Sequence, residues 1–165
     1  MVFVHVGTLL ALAGFCSASI ETPELTPCSD VQGFKLSDLK LTNAVLGQTM
    51  TVDFTLDITQ ELKSSPQLTV TATKNNGQEI GCLFNLIGSC TYDMCGGTSI
   101  VEKTLGSLWN NECPIEPNSY TKSLSGELPE LAKSFLGNGT INLMFEVQDG
   151  GKTVGCQKFP VTIKI

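Results

Sequence analysis

Between Met50 and Thr59 the chain alternates without a break: Met50, Val52, Phe54, Leu56 and Ile58 are apolar, and Thr51, Asp53, Thr55, Asp57 and Thr59 are polar. Successive side chains of a strand point to opposite faces, so this stretch predicts an antiparallel strand with one face on a core and the other in water. The same two-residue grid recurs elsewhere. Phe34 and Leu36 hold one phase and Leu39 and Leu41 the other, which predicts a strand with a bulge or bend near Asp38. After a loop at 62–66, Leu68, Val70 and Ala72 begin a further strand that ends at the turn signal Asn75-Asn76-Gly77. The return through Ile80 to Ile87 is apolar at nearly every position, and predicts a strand buried on both faces or placed at a sheet corner.

From Gly96 to Glu112 the alternation stops. Val101, Leu105, Leu108 and Trp109 fall at i, i+4, i+7 and i+8, the spacing of a short helix or an apolar loop. Tyr120, Leu124 and Leu128 return to the strand grid, with Lys122 and Gly126 sharing their face. The chain closes on a hairpin: Ile141, Leu143, Phe145 and Val147 alternate, Asp149-Gly150-Gly151 turns, and Val154 to Ile165 returns. The grid slips between Cys156 and Phe159, and Pro160 has no N–H for a ladder, so a bulge or an edge belongs there. Seven to eight antiparallel strands separated by turns, with little helix and no internal repeat or linker, predict an all-β two-sheet β-sandwich in one domain.

Targeting changes the cysteine count. Val6 to Phe15 is apolar apart from Gly7 and Thr8, and the small residues Ser17, Ala18 and Ser19 follow, so residues 1–18 read as an export signal cleaved after Ala18. The mature domain is then 19–165, and Cys16 leaves with the signal. Six cysteines remain, at 28, 82, 90, 95, 113 and 156. An even number in an exported chain makes disulfides the default, and six thiols allow about fifteen pairings.

Composition then removes whole classes of function. The one histidine is His5, inside the signal, and every basic side chain is a lysine. A Ser/His/Asp or Cys/His nucleophile lacks its usual base, and the common His-containing zinc sites lack a ligand. A net charge of −6 without an arginine fork argues against nucleic acid. Asp53 and Asp57 flank Thr55 on the wet face of one strand, where solvation explains them better than acid–base catalysis does. Cys90 and Cys95 lack the paired spacing of a structural zinc site. The expectation is a non-enzyme without a cofactor or metal.

The ordered elements Cys28, Ile87-Gly88-Ser89-Cys90-Thr91-Tyr92 followed by Cys95, Cys113-Pro114, Leu128-Pro129, Phe135-Leu136 with Gly139, and Gly155-Cys156-Gln157-Lys158 resemble the MD-2-related lipid-recognition (ML) family. The likeness runs from Cys28 to Ile165 and is nearest to the family's ganglioside-activator branch. It implies the pairs Cys28–Cys156, Cys82–Cys90 and Cys95–Cys113, and an immunoglobulin-like two-sheet β-sandwich splayed around an apolar cavity between the sheets that holds the acyl or sterol part of a lipid. It also implies a glycolipid, phospholipid, fatty acid or sterol as guest, transient contact with a membrane surface, a secreted or lysosomal location, and presentation of glycolipid to a lysosomal hydrolase. The 96–112 loop lacks the cysteines of the activator's additional disulfide.

Candidate wall residues are the inward positions Phe54, Leu56, Ile58, Val70, Leu143, Phe145 and Val147. Their bland reading is a packed core. Candidate membrane contacts are Phe135-Leu136, at the place of an aromatic–Leu pair on a membrane-facing loop of the activator, and Leu108-Trp109 in the irregular segment. Asn138-Gly139-Thr140 is a glycosylation sequon close to the first of them. Competing readings are a sterol-transfer protein of the Niemann-Pick type C kind and an immune or adhesion sandwich with a filled core.

Overall fold

The computed structural model describes residues 18–136 and 139–165. Residues 1–17 of the expected signal, and Asn138, lie outside the described residues. Nine strands form two antiparallel sheets. The first sheet is ordered β1 (Ile20–Glu21), β3 (Phe34–Thr42), β4 (Thr49–Ile58), β7 (Asn118–Glu127). In the second the order is β2 (Thr26–Gln32), β9 (Lys152–Ile163), β8 (Gly139–Asp149), β5 (Gln67–Lys74), β6 (Cys90–Asp93). Three strands lie outside the expected set: β1 and β6 are only 2 and 4 residues long, and β2, of sequence TPCSDVQ, carries no apolar alternation. Helical structure is confined to α1 (Ile100–Gly106), α2 (Lys133–Leu136) and two short 3-10 turns.

Strand β4 shows why the pattern works. Its partners on β7 pair like with like: Val52 lies opposite Leu124 and Leu56 opposite Tyr120 on the inner face, while Thr51 meets Ser125 and Thr55 meets Thr121 on the outer. The outer pairs join hydroxyl to hydroxyl, at 2.9 and 3.1 Å, as polar cross-strand pairs do on a wetted face. The slip of phase in β3 is a break in register between Ser37 and Lys40, with Asp38 at φ 51°.

Two expectations need correction. Ile80 to Ile87 is not a strand buried on both faces. Leu83 and Ile87 exchange backbone hydrogen bonds across a three-residue turn, Phe84 and Asn85 take φ values of 55° and 54°, and the Cys82–Cys90 bridge closes the segment on itself. Phe84 is 79% exposed and Leu86 51%. In the last hairpin the irregularity lies at Val147/Gln148, opposite Gly155 and Thr153, rather than between Cys156 and Phe159. There the ladder is continuous: Cys156 faces outward to its bridge with Cys28, and buried Gln157 takes the inward position beside Phe159. Pro160 sits where β2 has already stopped pairing with β9, so no ladder partner on that side misses its N–H.

All three bridges follow the pairing that the resemblance implied. Cys28–Cys156 spans 128 residues and fixes β2 to β9, Cys82–Cys90 spans 8, and Cys95–Cys113 spans 18 and ties the ends of the irregular segment. A long-range closure of the first kind removes more conformational freedom from the unfolded chain than a short one.

Candidate functional site

Along the β3/β9 side the sandwich is shut. The backbones of the two sheets approach most closely here. Gln157 reaches across from β9, accepting from the Leu36 N–H and donating to the Leu36 carbonyl at 3.1 Å. Gly33 N–H donates to the Val154 carbonyl at 2.8 Å. At Gly155 a Cβ would meet the Phe34 carbonyl oxygen at 2.1 Å, so only glycine lets the strands come this close. Phe34, Leu36, Leu41, Phe159, Val161 and Ile163 are all buried.

The β7/β5 side is different. Met50, Val52, Tyr120 and Leu124 face inward from the first sheet, and Val70, Leu143 and Phe145 face inward from the second, yet each keeps partial exposure. Inner-face residues are sealed in a fully closed sandwich. Here an apolar seam is reached from one side. Of the expected wall residues, Phe54, Leu56, Ile58 and Val147 lie buried behind it, and Val70, Leu143 and Phe145 line its accessible part. Phe145 stacks edge-to-face on Phe159 at 5.1 Å between ring centres.

Two clefts lie away from this seam. One of about 250 Å³ is beside β1, lined by Ile20, Leu41, Ala44 and Lys164, and one of about 360 Å³ is at the polar β8/β9 turn, lined by Gln60, Ser64, Asp149 and Lys152.

The irregular segment caps one end of the seam. Ser99 starts α1 with a capping box: its hydroxyl accepts from Glu102 N–H at 3.2 Å and the Glu102 carboxylate accepts from Ser99 N–H at 2.8 Å. The same carboxylate accepts from the backbone N–H groups of Thr98 (3.0 Å) and Asp93 (3.1 Å). These donors, Ser99 foremost, hold the Glu102 carboxyl at a pKa of about 2, well below the ordinary carboxylate value. The result is a helix locked to β6.

Trp109 follows α1. Its indole donates to the Met94 carbonyl at 2.7 Å, and its ring packs edge-on against Tyr120 at 5.7 Å. At 8% exposure Trp109 is a packing residue in this structure, and Leu108 is half-buried. At the other end of the sandwich Leu136 is also buried, at 7%, whereas Phe135 is 39% exposed and Leu131 is exposed beside it. Among the four expected membrane contacts, Phe135 is therefore the one presented outward. Phe84 and Leu86 are presented more fully, against the expectation of burial that an apolar run carries.

Asp53 and Asp57 stay on the wet outer face. Asp53 pairs with Lys40 at 3.3 Å, and Asp57 accepts from Ser119 (2.7 Å) and Ser37 (2.8 Å). The Ser123 hydroxyl with Lys40, and the Ser119 and Ser37 hydroxyls, lower their respective carboxyls. Among the described residues no three His, Cys, Asp or Glu side chains are grouped to hold a metal ion, and no helix is long and apolar enough to cross a membrane.

Comparison with known proteins places this geometry. A search of curated protein sequences gave no match. Among solved structures the chain is similar to a Niemann-Pick type C2 protein from the Japanese carpenter ant. That match has a TM-score of 0.54 at 12% identity and covers 86% of this chain and 99% of that one. A second similarity, to the C-terminal domain of wzt, has a TM-score of 0.46 at 10% identity and covers 87% of this chain and 78% of that one. At 12% identity the likeness to the ant protein is one of fold. The family model described as the ML domain matches residues 23–163. With that match over nearly all of the described sandwich, the chain belongs to the ML, or MD-2-related lipid-recognition, domain family.

Proposed function

We propose that this protein is an exported lipid carrier that takes the acyl or sterol part of a lipid between its two sheets through the β7/β5 side. The observation that carries the reading is the one-sided exposure of the inner faces: sealed from Phe34 to Leu41 and along β9, accessible at Val52, Leu124, Val70, Leu143 and Phe145. Membership of the ML family supports it, as do three disulfides suited to an oxidising compartment. Secretion or a lysosomal lumen is the compartment proposed.

The energetics suit a carrier. Burying one CH₂ yields about 0.8 kcal/mol, so a long acyl chain offers on the order of 10 kcal/mol gross relative to water before association costs. A lipid in a bilayer is already out of water, so moving its tail between these sheets is nearly neutral and transfer is reversible. Headgroup contacts and docking then set the direction. Phe135, with Leu131 beside it, is the proposed docking point, and a glycan on Asn138 would lie three residues along the chain from it. Presentation of glycolipid to a hydrolase, as in the ganglioside-activator branch, is the proposed context, and sterol transfer is its rival. A sterol and a glycolipid competing for delipidated protein separate these two guests.

Titration of delipidated protein with a fluorescent fatty acid or sterol analogue tests the carrier itself. Saturable binding, weakened when Leu143→Asp places a charge in the seam, is the expected result. Absence of saturable binding would leave the sandwich without a carrier role.

A further inference from the structure

One residue of the seam has a chemistry unlike its neighbours. Lys122 lies opposite Phe54 in the β4/β7 ladder, between inward-facing Tyr120 and Leu124. Ser119, Thr121, Ser123 and Ser125 take the outer positions of β7, so the register sends the Lys122 stem along the apolar inner face. The residue is half-buried, and its ammonium reaches the rim, where it donates to the exposed Ser107 hydroxyl at 3.3 Å. A lysine commonly lays its methylenes on apolar surface and keeps its charge at the water boundary. The ion pairs among the described residues are Lys40–Asp53 and Lys63–Glu61, which leave the Lys122 ammonium with no carboxylate within 4 Å.

We propose that Lys122 is a specificity-determining residue at the mouth of the seam, where its ammonium pairs with an anionic oxygen headgroup, a carboxylate or phosphate, on a lipid whose acyl chain lies between the sheets. This deepens the carrier reading and rests on it. The side chain is placed for both halves of such a guest: stem beside the tail, charge beside the head. A lysine pointing inward on an edge strand also discourages edge-to-edge pairing of sheets. That role makes no distinction between anionic and neutral guests, so ligand preference separates the two.

The experiment is equilibrium binding at neutral pH and low salt to delipidated wild type, Lys122→Gln and Lys122→Arg. The ligands are oleic acid against methyl oleate, and lysophosphatidic acid against monooleoylglycerol. Wild type is expected to favour at least one anionic lipid over its neutral partner by about tenfold, the scale of one charge-assisted hydrogen bond. The pair that shows the preference identifies carboxylate or phosphate as the head. Lys122→Gln should lose the preference while still binding the neutral partner saturably, which also reports an intact fold, and Lys122→Arg should keep it. Wild type that binds acid and ester alike, or a preference that survives in Lys122→Gln, overturns this proposal alone. Failure of all four lipids to bind wild type overturns the carrier reading beneath it.

Discussion

At the scale of single residues, Glu102 holds more structure than its charge suggests. Three backbone N–H groups from the turn before α1 and from β6 converge on its carboxylate, so ionised Glu102 stabilises the folded state. Its folded pKa of about 2 lies below the unfolded value of 4.5. The stabilisation is therefore fully present above pH 4.5 and is lost as pH falls toward 2. Glu102→Gln should cost roughly 1–2 kcal/mol at neutral pH, the scale of a lost helix cap. It should also flatten the fall in stability below pH 4.5, read from urea unfolding across pH. Parallel curves for the two proteins would contradict this. At Phe135 the exposed ring is assigned to docking, so Phe135→Ser should slow vesicle-to-vesicle transfer several-fold and leave lipid affinity unchanged. An unaltered transfer rate would remove Phe135 from the docking surface.

At the scale of elements, the disulfides divide into one that fixes the fold and two that shape local segments. On the chain-entropy account, Cys28–Cys156 is worth about 5 kcal/mol and Cys82–Cys90 about 2.5 kcal/mol. Paired Cys→Ala variants should lower the denaturation midpoint in that order, and equal losses would mean that native packing rather than loop length sets their value. The strands themselves were readable because one face is wet: the alternation of β4, the phase slip at Asp38 and the last hairpin follow directly from side-chain polarity. Apolarity alone does not say that Ile80–Ile87 turns back on itself, with Phe84 and Asn85 at positive φ, into an exposed tip. Nothing local to β7 says that Tyr120, Lys122 and Leu124 sit opposite β4 at an accessible margin, because pairing partners are not encoded within one strand. The burial of Trp109 depends on Met94 and Tyr120, which no local pattern brings to it. The division of the candidate wall residues into buried and accessible ones arises only when both sheets are in place.

At the scale of the whole molecule, the sandwich is tied on its β3/β9 side by the Gln157–Leu36 bonds and keeps its inner faces partly exposed on the other. A net charge of −6 adds a pH dependence to docking. Charge shrinks as the medium approaches the sequence pI of about 4.7, and repulsion from an anionic bilayer shrinks with it. Transfer from anionic vesicles should therefore be faster at pH 5 than at neutral pH in low salt, with the difference fading as salt is added. Equal rates at low salt would contradict the electrostatic part of the account.

The most direct test of the central claim, that a lipid tail lies between these sheets, is mass spectrometry of the intact protein after secretion from eukaryotic cells and gentle purification. The account predicts a co-purifying lipid, about one per chain, that is displaced by added fatty acid or sterol and is lost from Leu143→Asp. Protein that emerges free of lipid and takes up neither added guest would contradict it.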